Sequence, residues 1–137
     1  MDRCDIPALL ERYGVTPTPQ RIEIATVMLA CHQHLSADQV LARVNQNGAA
    51  VSKATVYNTL GLFAEKGLIR QVIVDPTKIF YDSNIAPHHH FYNVDDGSLI
   101  DFDAQECSIA KLPTLPAGTV ADGVDVIVRV RNASAAA

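Results

Sequence analysis

Cysteine is scarce in this chain, and the three present, Cys4, Cys31 and Cys107, lie far apart and never form a CxxC pair. That spacing signals neither a disulfide framework nor a thiolate zinc clamp, and all three are read as reduced thiols, packed or incidental. Long apolar runs are missing as well. None approaches the roughly 18 to 20 residues of a membrane span, and the opening MDRCDIPALLERYG lacks the apolar stretch of a signal peptide, so a cytoplasmic protein without a membrane partner is expected. Positive charge is in short supply too: the formal net charge is −4, which argues against a general polyanion binder. Acids and bases nevertheless balance over residues 1–83, and the acidic excess lies in 84–137, so any nucleic-acid surface belongs to the first half.

What is there suffices for one substantial core or two small ones, with 137 residues of which 48% are hydrophobic. Residues 5–13 read as a short helix. T-P-T-P-Q-R at 16–21 gives a break and then a proline where a helix start tolerates it. An apolar helix follows to about Ala30, carrying Ile22, Ala25, Val27, Met28 and Leu29. Ser36 is the expected N-cap of the next helix, with Leu35, Val40, Leu41 and Val44 as its apolar positions and N-Q-N-G at 45–48 as its stop.

A third such unit starts at Ser52. Its spacing sends Ala54, Val56, Leu60, Phe63 and Leu68 inward and leaves Lys53, Thr55, Tyr57 and Asn58 near the helix start, facing out. Strand patterns at 68–74 and 78–82 flank the turn D-P-T, and this order of helices and hairpin makes a winged helix-turn-helix. After a hinge at 84–87, residues 88–94 and 98–102 form a second hairpin about D-D-G, with a helical turn near 103–110 and a strand at 124–130 whose valines alternate with Asp125, Ile127 and Arg129. The expected fold class is α+β: a winged-helix domain at 1–83, then a small α/β unit at 88–137 too slight to hold a core without a second copy, ending in a frayed tail.

Two constellations carry chemistry. Lys53, Thr55, Tyr57 and Asn58 offer a cation, a hydroxyl with a methyl, a phenol and a bidentate amide at a helix N-terminus, groups suited to phosphate and base edges; an ordinary solvated helix face would look the same. The other is the run His88, His89, His90. In a strand, His88 and His90 share a face while His89 points oppositely. Imidazole ligates iron, manganese, zinc and haem alike, and the carboxylates of Asp82 and Asp101 can reach the pair, so a five- or six-coordinate divalent ion fits. His34, taken alone, reads as a capping or surface group.

The strings H-L-S-A-D-Q-V at 34–40, A-T-V-Y-N-T-L at 54–60, G-L-I at 67–69 and H-H-H-F-Y-N-V at 88–94 closely resemble the ferric uptake regulator family. Within it, H-H-H-F-Y and the tail from K-L-P-T-L-P-A-G to V-D-V-I-V-R-V-R look most like the Irr, or iron response regulator, branch. The resemblance implies a homodimeric repressor on double-stranded operator DNA, not an enzyme, governing iron or haem homeostasis. It also implies a hinge site of His34, Asp82, His88, His90 and Asp101 for Fe2+ or Mn2+, with Zn2+ able to enter in vitro. That all-nitrogen-and-oxygen set resembles the peroxide-sensing PerR branch, where ferrous iron promotes oxidation of a ligating histidine, here His34 or His88. Arg21 would contact phosphate or groove, joining Lys53, Thr55, Tyr57 and Asn58.

The chain departs from the family pattern where a structural zinc usually sits on CxxC, since Asn93 and Asp96 stand there; that zinc is expected to be absent. A further site that takes a histidine before the last strand meets Gly123 instead. Irr proteins are associated with haem, some through Cys-Pro; lacking that dipeptide, this chain offers His88, His89 and His90 as its haem candidate. Two rival readings stand beside the repressor. A metal-dependent hydrolase would need a cleft and oxyanion donors that the chain does not advertise. A protein-binding winged helix would share the first domain without touching DNA.

Overall fold

The computed structural model describes residues 5–134 except 47 and 49; Cys4, Asn47 of the helix stop and the last three residues of the tail lie outside the described residues. The chain divides between Ile85 and Ala86 into two compact units.

The first unit runs α1 (Ile6–Arg12), α2 (Pro19–Met28), β1 (His34–Leu35), α3 (Ala37–Gln46), α4 (Lys53–Glu65), β2 (Arg70–Asp75) and β3 (Lys78–Asp82). Thr18 caps α2 by accepting from the Arg21 amide, with Pro19 at the first helical position, where its missing N–H removes no helical bond. Ser36 and Gln39 cap α3 reciprocally: the Ser36 hydroxyl accepts from the Gln39 amide at 3.2 Å, and the Gln39 side chain accepts from the Ser36 amide at 2.9 Å. Gly67, at φ +81°, ends α4. Its amide reaches the Ala64 carbonyl and that of Leu68 reaches Phe63, so the last carbonyls are satisfied as the chain turns into the wing.

Ile24 and Met28 of α2, Val40 and Val44 of α3, and Val56, Leu60 and Phe63 of α4 are fully buried and form one core with Ile6 and Leu10 of α1. Ala54, expected inward, is exposed: it lies in the first turn of α4, beyond the reach of that core, and Thr59 takes the buried position on the inner face instead. The sheet has the order β1-β3-β2, all antiparallel. Its two-residue strand β1 was not expected, because His34 and Leu35 read as a helix lead-in.

The second unit holds β4 (His88–Asn93), β5 (Leu99–Asp103), a 3-10 turn (Ala104–Glu106) and β6 (Ile127–Val130) in the order β5-β4-β6. β4 pairs antiparallel with β5 and parallel with β6. The last strand is shorter than the expected 124–130: only the Val126 backbone bonds to β4 ahead of it, its carbonyl accepting from the His90 amide, and Val124 and Asp125 are exposed loop. Asn93 and Asp96 serve the hairpin turn, where Asn93 accepts from the amides of Asp95 and Asp96 and Asp96 from that of Ser98. Those Ser98 hydrogen bonds hold the Asp96 carboxyl below its usual range. Cys31 is exposed and Cys107 half-buried, neither in a core. No helix among the described residues is long and apolar enough to cross a membrane.

Candidate functional site

Each unit carries its own group of imidazole and carboxylate. In the first, the register of β1 on β3 sets His34 directly opposite Asp82, with Nε2 3.6 Å from Asp82 Oδ2. Asp82 is fully buried and accepts from the Asn84 amide at 2.8 Å. His34 is held through its neighbour. The Gln33 side chain donates to the Val27 and Met28 carbonyls at the end of α2 and accepts from Arg43 of α3, while the Gln33 backbone amide donates to the Ser83 hydroxyl just past Asp82. Gln33 and Ser83 carried no sequence signal, since nothing local predicts that residues fifty positions apart share a strand pair.

In the second unit, burial alternates strictly along β4, with His88, His90 and Tyr92 buried and His89, Phe91 and Asn93 less so. Asp101 sits across from His90 on β5, which puts its Oδ1 3.2 Å from His90 Nε2 and, on the diagonal, 3.6 Å from His88 Nε2. The His88 and His90 rings meet edge-on at 4.6 Å. Asp103, across from His88, turns instead to the Gln105 amide and caps the 3-10 turn. His88 Nδ1 lies 2.5 Å from the Ala86 carbonyl, so Nδ1 carries a proton and Nε2 is the nitrogen that faces Asp101. His89 has a different task. Its Nδ1 accepts from the Val126 amide at 3.2 Å and its ring lies 5.6 Å from Phe102, so it ties β4 to the lead-in of β6 on the opposite face. In its neutral form it therefore carries its proton on Nε2, and the three-histidine run divides into a pair and a strap.

On α4, the Ser52 hydroxyl accepts from the Thr55 amide at 3.1 Å and donates to the Thr55 hydroxyl at 2.9 Å, so Thr55 is drawn into the cap while its methyl stays at the surface. Lys53, Tyr57 and Asn58 are exposed. Lys53 Nζ lies 5.6 Å above the Tyr57 ring. Both reach back to α3: the Tyr57 hydroxyl donates to Asp38 Oδ1 at 3.3 Å, and Lys53 Nζ is 3.7 Å from the same oxygen. Arg21 donates to the Thr16 carbonyl at 2.9 Å and, with Thr18, Gln20, Thr55, Asn58 and Thr59, lines a polar cleft of about 360 Å³ between the starts of α2 and α4. All five residues expected at a nucleic-acid face thus lie on or beside the N-terminal end of α4.

A family model described as the ferric uptake regulator family matches residues 12–115. The peroxide-responsive repressor PerR of Staphylococcus aureus is 30% identical over 95 residues, which is 69% of this chain and 64% of that protein, so the chain spans less than two thirds of the relative it matches. Among solved structures, the ferric uptake regulator from Pseudomonas aeruginosa with manganese superposes with a TM-score of 0.71 at 24% identity, covering 94% of this chain and 98% of that one. The Francisella tularensis ferric uptake regulator with iron gives 0.70 at 21%, covering 87% and 92%. At such identities the likeness establishes the fold, a winged helix followed by a small mixed unit.

Proposed function

The chain belongs to the ferric uptake regulator family, and from that premise we propose that it is a metal-responsive transcriptional repressor, not an enzyme, acting as a homodimer on operator DNA. The winged-helix domain of 1–83 reads the duplex through Arg21, Lys53, Thr55, Tyr57 and Asn58; residues 84–87 are the hinge; 88–137 dimerise. The regulatory ligands are His34, Asp82, His88, His90 and Asp101.

One observation carries this reading. His88 and His90 both turn Nε2 toward one Asp101 oxygen, at 3.6 and 3.2 Å. Two imidazole nitrogens converging on one carboxylate oxygen offer a ligand set to a shared cation, and nitrogen with carboxylate oxygen suits iron or manganese, with zinc able to compete. A bound dication would be held by these nitrogen and oxygen atoms. If all five proposed ligands held one ion, it would favour one arrangement of the chain, and DNA affinity would follow only as far as that arrangement binds DNA better. Support for the homodimer comes from the sheet of the second unit, where Val128, Phe91 and Ile100 stand side by side across three strands, with Val128 and Ile100 exposed.

The test is DNA binding to genomic fragments at fixed salt, before and after chelation and after reloading with manganese. His88→Ala combined with His90→Ala should abolish at least a tenfold metal-dependent change in affinity, about 1.4 kcal/mol, while far-UV circular dichroism stays unchanged. An undiminished metal response in that variant overturns the reading.

A second reading draws on the PerR relative and on the sulfur-free donor set: a peroxide sensor in which ferrous iron and hydrogen peroxide oxidise His34 or His88. Mass spectrometry of the iron-loaded protein after peroxide would find one added oxygen on either residue, and unmodified peptides would exclude it. The H-H-H-F-Y run supports an Irr-like sign for the switch, with release from DNA when haem binds at His88 or His90. Haem titration beside the manganese arm reads that sign directly.

A further inference from the structure

Asp38 lies in the first turn of α3, yet its carboxylate is engaged by α4. One oxygen, Oδ1, takes the Tyr57 hydroxyl at 3.3 Å and the Lys53 ammonium at 3.7 Å, and Lys53 also sits over the Tyr57 ring. Three side chains on two helices thus form one closed set. Asp38 and Lys53 are 68% and 66% exposed, and a pair so open to solvent adds little to fold stability. Its effect must be sought where solvent is removed, and on this face that happens when a polyanion docks. There, a carboxylate among phosphate-facing groups repels the backbone, and it also occupies the one cation at the start of α4.

Resting on the DNA-reading role proposed above for α4, we propose that Asp38 is a specificity-determining residue: it positions Tyr57 and Lys53 for one base-edge register and withholds Lys53 from phosphate in every other. On the matching duplex, Tyr57 and Lys53 exchange Asp38 for base edges. On a mismatched duplex they keep Asp38, which holds Lys53 neutralised and away from the phosphates. The residue acts through weaker binding to wrong sequence rather than through tighter binding to the right one.

The experiment uses the full chain loaded with manganese, a duplex enriched by the wild-type chain from a randomised library, and an unrelated duplex of equal length. Asp38→Asn keeps an acceptor and removes the charge. It should raise affinity for the unrelated duplex roughly tenfold and for the enriched duplex less than about threefold, and steepen the salt dependence on the unrelated duplex by about one counterion as Lys53 is released. In a Lys53→Ala background that steepening should vanish. Tyr57→Phe should lower affinity for the enriched duplex alone. Thermal melts of each variant confirm that it folds. Equal gains on both duplexes, or a salt increment that survives Lys53→Ala, overturn the role of Asp38 while leaving DNA reading intact. A wild-type chain that enriches no sequence overturns both.

Discussion

Tyr81 is a phenol packed into the core of the first unit and bridged to Gln71 on the neighbouring strand. Burial pushes its ionisation above the ordinary value near 10, with the Gln71 hydrogen bond pulling the other way. A group bound more tightly to its proton when folded gives stability that is complete below the unfolded value and is lost as pH climbs through the folded one. Tyr81→Phe should therefore lose less of its melting temperature than the wild type as pH rises above about 10, which parallel thermal scans would read; identical slopes would show that the phenol is not the titrating group. Among single residues, the alternation of His88 and His90 was legible from the two-residue period of a strand. Asp101 was legible because a D-D-G turn fixes which residue returns beside it. His34 was not, except through the family resemblance, because its partner Asp82 is reached across a strand pair that no local pattern announces.

At the level of elements, helix boundaries followed their caps. The Ser36 and Gln39 pair is a reciprocal N-terminal lock, and Ser36→Ala should cost about 1 kcal/mol, measurable as a lower denaturant midpoint with unchanged slope. An unshifted midpoint would mean that water replaces the hydroxyl at no loss. Because α3 begins one residue after β1, fraying there should also loosen His34, and manganese affinity is expected to fall along with stability. The third helix of the winged helix-turn-helix and its wing were legible from Gly67 and the D-P-T turn. Two elements were not. β1 is too short for any periodicity, and β6 starts later than its valines suggest because the His89 contact to Val126, not β propensity, decides where the chain joins the sheet.

At the scale of the whole molecule, the proposed repressor needs two copies to match two half-sites, and the second unit is where that contact is proposed. Ile100 is 56% exposed on the same face as Phe91 and Val128. Ile100→Asp should shift sedimentation toward the single-chain species and weaken operator binding at least tenfold, with metal still bound; an unaltered sedimentation profile would move the contact elsewhere. β4 therefore wears two coats. Its even-numbered side chains are two of its three imidazoles and a buried phenol, and its odd-numbered ones include His89 and the Phe91 ring beside the exposed apolar row. A single residue inserted at its start would exchange the coats, turning histidines toward the would-be partner chain and Phe91 toward the carboxylate. The proposed sensing and the proposed assembly thus fall on opposite sides of one six-residue ribbon, and a one-residue slip in its pairing would spoil both together.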